Sequence, residues 1–339
     1  MATTSVSSSF VPLAASACVA VSPSLLHHRL RCSGQLDTGF VFRNKGIRGV
    51  NWSRRSVVVV RGSVGAEEEE VAMGHKEANW VEFPKLSPAG KHLMETVAGM
   101  MDKDLADLIN PSETDPDVRS FKGGNGEGSV TLRAGRAGSK IDFVLGSWLN
   151  CTLAFGTLNI ATLIAMLGPE ADSPHLLFEF IQSGPDNLVL VLDLLPRKDL
   201  VLNPEYLARY YEQSGLEALR QTFEQHPQTQ PFLTSALYVR SVVSPTALLY
   251  KVSGEGVEGG IDSVIADLVE PTAVKVFQTW VDSYKNLGQA MDSDAVAYMK
   301  NRDDLIKTKG VEVDLSSNMP RLFGQEIADR VVAAFRKGV

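Results

Sequence analysis

Residues 174–211 read PHLLFEFIQSGPDNLVLVLDLLPRKDLVLNPEYLARYY, and this stretch decides the fold. It holds the two densest apolar runs of the chain, joined by SGPD at residues 183–186 and followed by a helix start, NP, at residues 203–204. A connection as short as SGPD leaves no room for a crossover helix. The two runs are therefore predicted to pair as antiparallel strands.

One carboxylate, Glu179, lies inside the first apolar run between Phe178 and Phe180. Because side chains alternate along a strand, Glu179 shares a face with Leu177 and Ile181, and the two phenylalanines point to the other face. Burying an unpaired carboxylate costs free energy and raises the pKa of the acid. Glu179 is therefore either a water-facing residue of an edge strand or a proton-handling acid in a ligand cavity.

The patterns on both sides of this stretch predict one sheet covered by helices. Strand-like runs follow one another over residues 129–195, and residues 236–252 are predicted to add one or two more strands. Helical patterns occupy residues 88–109, 203–223, 259–307 and 321–338. The fold class is therefore α/β with an α+β order of elements, a three-layer α/β/α sandwich around a central, mostly antiparallel sheet.

Two local patterns refine this prediction. Pro271 is expected to start a new helix, because a proline disfavours the helical ψ of the residue before it, Glu270. The glycine-rich segment KGGNGEG at residues 122–128 superficially suggests a phosphate cradle. A strand pattern follows it, however, where a nucleotide-binding loop would be followed by a helix, so a hairpin loop is predicted.

The first 61 residues differ from the rest of the chain in charge. They contain eight Lys or Arg and one acid, a net of +7; because the whole chain carries −7, residues 62–339 carry −14. An acid-poor start rich in Ser and Ala, followed by basic residues, is typical of a chloroplast transit peptide, whereas a secretory signal would place the basic residues first. The predicted organisation is a transit peptide at residues 1–61, an acidic linker at 62–80 and a single domain at 81–339.

Composition excludes several kinds of site and partner. Cys18 and Cys32 fall in the predicted transit peptide, which leaves Cys151 alone and rules out a disulfide framework or a four-cysteine metal site. No two histidines have metal-ligand spacing. No run of 18 apolar residues occurs, so no transmembrane segment is predicted, and the acidic remainder argues against nucleic acid as a partner.

Three blocks carry a family resemblance. They read HLLFEFIQSGPDNLVLVLDLLPRKDLVLNPEYLARYYE at residues 175–212, LYVRSVVSPTALLYKV at 237–252 and DLSSNMPRLFGQEIADRVV at 314–332. Together, and in this order, they resemble the red chlorophyll catabolite reductases of plants, which are distant relatives of the ferredoxin-dependent bilin reductases. The likeness covers residues 81–337, and the predicted transit peptide agrees with it.

The resemblance implies a fold and a reaction. The fold is an α/β/α sandwich with a central antiparallel sheet, in agreement with the patterns above. The reaction is the reduction of one double bond of red chlorophyll catabolite, an open-chain tetrapyrrole, to primary fluorescent chlorophyll catabolite during chlorophyll breakdown. Reduced ferredoxin is the implied electron donor to a CH–CH group, and no flavin, metal or nicotinamide is bound.

The resemblance also assigns residues. The family's substrate-binding acid falls on Glu179, and its second acid falls on Asp314, with Ser316 as the alternative if the alignment slips by two. Carboxylic acids of this kind can supply protons to a reduced pigment or accept hydrogen bonds from its pyrrole N–H groups. The position that influences product stereochemistry falls on Val243, in a predicted strand, and valine there implies the epimer that phenylalanine does not give.

Other residues near the matching blocks are candidates for polar contacts. His175 is a candidate substrate contact because it begins the strand of Glu179. Basic residues could pair a propionate of the tetrapyrrole, form a docking patch for acidic ferredoxin, or be ordinary solvated charges. They are Arg197, Lys198, Arg240 and Arg321.

Partners and location follow from the same likeness. The implied partners are the red catabolite, ferredoxin, pheophorbide a oxygenase and a second copy of the chain in a homodimer. The implied location is the chloroplast stroma, with the mitochondrion as a second compartment. Two other functions stay open: a non-catalytic protein that sequesters a phototoxic tetrapyrrole, and a bilin reductase acting on another bilin.

Overall fold

The computed structural model describes residues 80–154, 156–287, 291–310 and 316–337. The predicted transit peptide and the predicted linker up to residue 79 lie outside the described residues, as does Asp314. The division of the chain into those segments therefore stays a prediction.

Eight strands form one sheet. They are β1 Phe121–Gly123, β2 Gly126–Ala134, β3 Ile141–Leu153, β4 Gly156–Leu167, β5 His175–Ser183, β6 Asn187–Leu195, β7 Thr229–Pro231 and β8 Leu248–Ser253. Their order across the sheet is β1-β2-β3-β4-β5-β6-β8-β7, and every neighbouring pair is antiparallel. The predicted antiparallel sheet is confirmed, and β5 lies in its interior between β4 and β6.

The helices precede, interrupt and follow the strands. They are α1 Pro88–Leu105, α2 Pro116–Arg119, α3 Pro204–Leu207, α4 Leu216–Glu224, α5 Leu237–Val242, α6 Gly260–Val264, α7 Glu270–Lys285, α8 Ser293–Gly310, α9 Ser316–Phe323 and α10 Gln325–Lys337. Single π-helical turns follow α3 at Ala208–Glu212 and α6 at Ile265–Val269.

Helices pack on both faces of the sheet, as a three-layer sandwich requires. On one face α1, α6 and α7 bury the large cluster that includes Phe178, Phe180 and Trp280. On the other face, α9 and α10 bury Leu322, Phe323 and similar residues against β1, β2 and β3. Each strand in the middle of the sheet is apolar on both faces because each face is covered.

Strand β5 is held firmly from the helical side. The indole nitrogen of Trp280 in α7 donates to the carbonyl oxygen of Pro174 at 3.0 Å, and the backbone N–H of Ser87 donates to Gln182 Oε1 at 3.0 Å. Between these points Phe180 packs so closely on Gly90 of α1 that a Cβ there would lie 2.9 Å from the ring. The two phenylalanines therefore anchor β5 on this face and fix Glu179 on the opposite one.

The glycine-rich segment is a hairpin, as predicted. Gly123 pairs with Gly126 across the turn between β1 and β2, and Gly124 has a φ of +53°. A Cβ on Gly126 would lie 2.5 Å from the carbonyl oxygen of Asn150 and 2.7 Å from the ring of Phe323. Glycine at these positions therefore allows α9 to pack closely against the hairpin.

One strand prediction was wrong in part. Residues 248–253 form β8, but Leu237–Val242 form helix α5. The buried residues of that segment, Val239 and Val242, are three apart and the residues between them are exposed, which is helical spacing and not alternation. Val243 therefore lies just after a helix, in an extended conformation with φ −72° and ψ 152°, and not within a strand.

The backbone at Glu270 also differs from the prediction. Helix α7 does begin beside Pro271, but Glu270 keeps helical angles, with φ −62° and ψ −54°. The π-helical turn Ile265–Val269 comes directly before it. Pro271 has no N–H to donate to the preceding turn of the helix. The π-helical turn already interrupts the regular hydrogen bonds at that point, so the chain continues as a helix instead of breaking.

Candidate functional site

Glu179 occupies the middle of β5 and is buried, with 5% of its surface exposed. It pairs with Thr162 on β4 and Val191 on β6. Side chains of directly paired residues lie on the same face of a sheet. The sheet face that carries Glu179, here called the acid face, is therefore the one opposite Phe178 and Phe180, and the edge-strand interpretation of Glu179 does not hold.

A row of three polar residues crosses the acid face. Ser147 pairs with Thr162, and Thr162 pairs with Glu179, so the row runs over β3, β4 and β5. Adjacent strands are about 4.8 Å apart, which makes the row about 10 Å long. All three side chains are buried. Two hydroxyls and one carboxyl group are thus aligned on a face whose other side chains are mostly apolar.

Two apolar clusters flank this row. One is buried beneath α9 and α10, and the other covers β4, β5 and β6 with Leu177, Ile181 and Phe232 among its members. Three side chains of the acid face contact both clusters and are only half-buried: Leu149, Leu153 and Ile164. One flank of the acid face is therefore buried beneath α9 and α10 and the other is a buried cluster of strand residues with Phe232, while three side chains between them are only half-buried. This part of the face, here called its half-covered middle, suits a flat, largely apolar ligand.

Val243 lies on the border of that half-covered middle. It is itself half-buried and packs, together with Leu249, against the cluster that contains Leu177 and Ile181. Those two residues share the face of β5 with Glu179. The structure thus brings Glu179 and Val243 to one side of the sheet, although they are far apart in sequence.

A second buried acid, Asp193, lies beside Glu179 and was missed in the sequence. Asp193 on β6 pairs with Leu177, which places it on the acid face, diagonal to Glu179. It is 2% exposed, and burial raises its pKa to about 6 although hydrogen bonds from Ser244 act in the opposite direction. Its sequence signal is that of Glu179, a single carboxylate inside an apolar run, and the same argument would have found it.

Replacing Asp193 with asparagine is expected to stabilise the protein at pH 7.5. The folded-state pKa of Asp193 is raised from 3.8 to about 6, so its charged form opposes folding above pH 6 and the penalty disappears as the pH falls towards 4. A shift of about two units corresponds to about 3 kcal/mol. Urea denaturation should show the variant to be the more stable by up to that amount at pH 7.5, with little difference near pH 4.

The groups around Asp193 do not change this sign. Glu179 faces it from β5, the Tyr211 hydroxyl donates to the carbonyl oxygen of Leu194, and Arg302 of α8 donates to the carbonyl oxygen of Pro196. The largest cause of the raised pKa of Asp193 is burial, and the hydrogen bonds from Ser244 and from the backbone of Leu194 reduce the shift without reversing it. A variant that is less stable than the parent by the same amount at both pH values would contradict the prediction.

His175 and Arg197 lie in a separate buried cluster built around Asp303 of α8. His175 Nδ1 accepts from the N–H of Leu167 at 3.0 Å, and its Nε2 lies 2.9 Å from Asp303 Oδ1. Arg197 binds the same carboxylate, with Nε 3.2 Å from Oδ1, and also donates to the carbonyl oxygens of Ala171 and Gly168. Both side chains are fully buried.

The electrostatics of this cluster follow from burial. Burial lowers the pKa of His175 to about 4, so the ring is neutral at pH 7 and its Nε2–H donates to Asp303. Burial alone would raise the pKa of Asp303, but its bonds to His175 and Arg197 outweigh that effect and lower it. As contacts for substrate, His175 and Arg197 stay predictions, and their burial and complete set of bonds to the protein disfavour them.

The other basic candidates are on the surface. Arg240 of α5 and Arg321 of α9 are exposed, whereas Lys198 is partly buried and pairs with Asp172 at 2.8 Å. Asp314 lies outside the described residues, between the end of α8 at Gly310 and the start of α9 at Ser316. Of the predicted pair of acids, the described residues therefore place only Glu179.

The described part of the chain gives two further facts about ligands and membranes. It contains no cluster of three His, Cys, Asp or Glu residues arranged to hold a metal ion. None of its helices combines the length and apolar character that crossing a membrane requires.

Comparison with known proteins gives matches along most of the chain. The family model described as red chlorophyll catabolite reductase (RCC reductase) matches residues 89–337. Red chlorophyll catabolite reductase 1, chloroplastic, of Oryza sativa subsp. japonica is 39% identical over 254 residues, which is 74% of this chain and 77% of that protein. Its counterpart in Arabidopsis thaliana, also called chloroplastic, is 36% identical over 269 residues, 78% of this chain and 84% of that protein.

A solved structure supports the fold. Phytochromobilin synthase from tomato, crystallised in complex with biliverdin, matches with a TM-score of 0.57 over 74% of this chain and 83% of that one. The two sequences are 17% identical. At that identity the likeness concerns the arrangement of sheet and helices alone.

Proposed function

This chain belongs to the red chlorophyll catabolite reductase family, and on that premise we propose that it is an oxidoreductase that reduces red chlorophyll catabolite. The observation that carries the proposal is the half-covered middle of the acid face. There a buried carboxylate, Glu179, lies at the end of a polar row between two apolar clusters. An open-chain tetrapyrrole has the matching chemistry, since its pyrroles are apolar and planar while their N–H groups donate hydrogen bonds to an acid.

The proposed reaction adds two electrons and two protons across one carbon–carbon double bond and yields primary fluorescent chlorophyll catabolite. Reduced ferredoxin, which carries one electron, supplies the electrons in two steps and is oxidised. Neither flavin, metal nor nicotinamide takes part in this proposal, so each proton must come from the protein or from water. A pigment that gained electrons without protons would accumulate charge in an apolar cavity, which is costly.

Acids at the site meet that need. Glu179 is proposed to deliver a proton or to hold pyrrole N–H groups, and Asp314 is proposed as the second acid, with Ser316 as the alternative position. Val243 is proposed to set the stereochemistry of the product, because it packs half-buried at the border of the half-covered middle, where its size would limit how the pigment can be seated.

Exposed basic residues suit the charged partners. Arg240 on α5 and Arg321 on α9 are exposed and could bind a propionate or acidic ferredoxin. The relatives from rice and Arabidopsis are named chloroplastic, and the stroma is the proposed location, with the mitochondrion as a second one. We also propose that the chain forms a homodimer and contacts pheophorbide a oxygenase.

Anaerobic turnover tests the function. Purified protein incubated with the red catabolite, ferredoxin and a ferredoxin-reducing system is expected to convert the pigment to a colourless, fluorescent product, followed by absorbance and chromatography. Omission of ferredoxin should abolish conversion. Pigment that is bound but not reduced would instead favour a sequestering protein, and reduction of biliverdin in preference to the red catabolite would favour a different bilin substrate.

A further inference from the structure

The segment that carries Val243 is attached to the sheet through Asp193. Helix α5 ends at Val242, and the chain then passes through Val243 and Ser244 to Pro245 before β8 begins. The backbone N–H of Ser244 donates to Asp193 Oδ2 at 2.8 Å, and its hydroxyl donates to Asp193 Oδ1 at 2.5 Å. Both carboxylate oxygens of Asp193 thus hold one residue of this segment, here called the Val243–Ser244 corner.

The hydrogen bonds at the corner suit an ionised acid. A carboxylate accepts from both the N–H and the hydroxyl of Ser244. The same hydroxyl also accepts from the N–H of Thr246 at 3.1 Å and lies 3.1 Å from the Thr246 hydroxyl. With a charged acceptor the two bonds to Ser244 are shorter and stronger than neutral ones.

The corner borders the half-covered middle of the acid face. Val243 precedes Ser244 and packs on the acid face with Leu249, against the same cluster as the neighbours of Glu179 on β5. Asp193 is diagonal to Glu179, at a typical side-chain separation of about 7 to 8 Å. The acid that fixes the corner and the acid proposed to act on the pigment therefore belong to one small region.

We infer that Asp193 is a positioning residue for the tetrapyrrole site: its carboxylate fixes the Val243–Ser244 corner and thereby the shape that the pigment meets beside Glu179. This inference rests on the proposed function, because it needs the pigment to occupy the acid face. It assigns Asp193 no proton transfer. Asp193 affects pigment binding through Val243, because the position of the Val243 side chain depends on the hydrogen bonds that hold Ser244.

Two variants test the corner from its two sides. Asp193→Asn keeps the shape of the side chain but not its charge, and Ser244→Ala removes the hydroxyl. Each is expected to raise KM for the red catabolite about tenfold, to leave kcat within about threefold and to change a single product epimer into a mixture. Ser244→Thr, which keeps both donors, should retain the parent values.

Ser241→Ala is the matched control. Its hydroxyl donates to the carbonyl oxygen of Tyr238 within the same helix and is exposed, so its loss should change neither KM nor the epimer ratio. Thermal unfolding of each variant confirms that it folds, and absorbance titration with the pigment, in the absence of any electron donor, gives the affinity independently of turnover.

The outcomes separate this inference from the proposed function. Parent protein that does not reduce the pigment would refute the proposed function. If the parent protein reduces the pigment, and the Asp193→Asn and Ser244→Ala variants have unchanged KM and epimer ratio, only the positioning role is refuted. A collapse of kcat at unchanged KM in Asp193→Asn would also refute it, because such a result would make Asp193 a catalytic residue.

Discussion

Exchange of Glu179 for glutamine is expected to lower kcat for the red catabolite by about 100- to 10,000-fold, the usual contribution of a general acid. Glutamine has nearly the same size and retains a hydrogen-bond acceptor, but it cannot deliver a proton. Because Glu179 is buried within β5 and fixed by Phe178 and Phe180 on the opposite face, the replacement should not disturb the sheet. Single-turnover reduction with excess reduced ferredoxin measures the effect on the chemical step.

The pigment affinity distinguishes the two roles open to Glu179. A fall in kcat at a nearly constant dissociation constant indicates proton delivery, whereas a weaker affinity at nearly constant kcat indicates that the acid holds pyrrole N–H groups. Glu205→Gln, the same exchange at an exposed position of α3, is the control and should behave like the parent. If the Glu179→Gln variant has the kcat and the dissociation constant of the parent, Glu179 does not belong to the site.

Most of the sheet could be predicted because short stretches of sequence specify its strands and turns. Residues 188–195 are apolar except for Asp193, and the turn SGPD before this strand is too short for anything except an antiparallel pairing. The same locality explains the error at residues 237–242. Residues 237–242, which include two valines, an arginine and one serine, fit either a strand or a short helix. Tertiary packing decides between them, because it determines which of Val239 and its neighbours face the sheet.

The site could be predicted only in part, because pairing across the sheet is not local. The carboxylate of Glu179 stood out in its apolar run, but its burial follows from the position of β5 between β4 and β6. For His175 and Arg197, the nearby sequence suggested substrate contacts. Their partner is Asp303, which is 128 and 106 residues away in sequence, and nothing in the spacing of these residues indicates that a helix brings it there.

Exchange of Asp303 for asparagine is expected to destabilise the protein by about 3 to 5 kcal/mol, the usual cost of removing one partner from a buried ion pair. The guanidinium of Arg197 has no exposed surface, and Asp303 is the carboxylate with which it pairs. Without that charge, a buried cation would be held only by backbone carbonyl oxygens, including those of Ala171 and Gly168. The free energy of unfolding from urea denaturation at pH 7.5 measures the loss.

The helix itself offers the matched control. Asp304, the next residue of α8, is exposed and pairs with Lys300 at the surface, so Asp304→Asn should cost no more than about 1 kcal/mol. A difference between two adjacent and identical exchanges can come only from what each carboxylate contacts. Equal effects of the two exchanges would show that the Asp303 cluster does not fasten α8 to the sheet.

Acid should weaken the same attachment. The pKa of Asp303 is lowered in the folded protein, so its stabilisation is present above its unfolded-state pKa and is lost as the pH falls through the lowered value. The pKa of His175 is lowered from 6.5 to about 4, so this group too costs stability as the pH falls from about 6.5 towards 4. Asp193 acts in the opposite direction between pH 6 and 4, because its pKa is raised. The Asp193→Asn variant lacks this opposing contribution, so its free energy of unfolding should fall more steeply with acid than that of the parent. In the Asp303→Asn variant, the contribution of the lowered Asp303 pKa disappears.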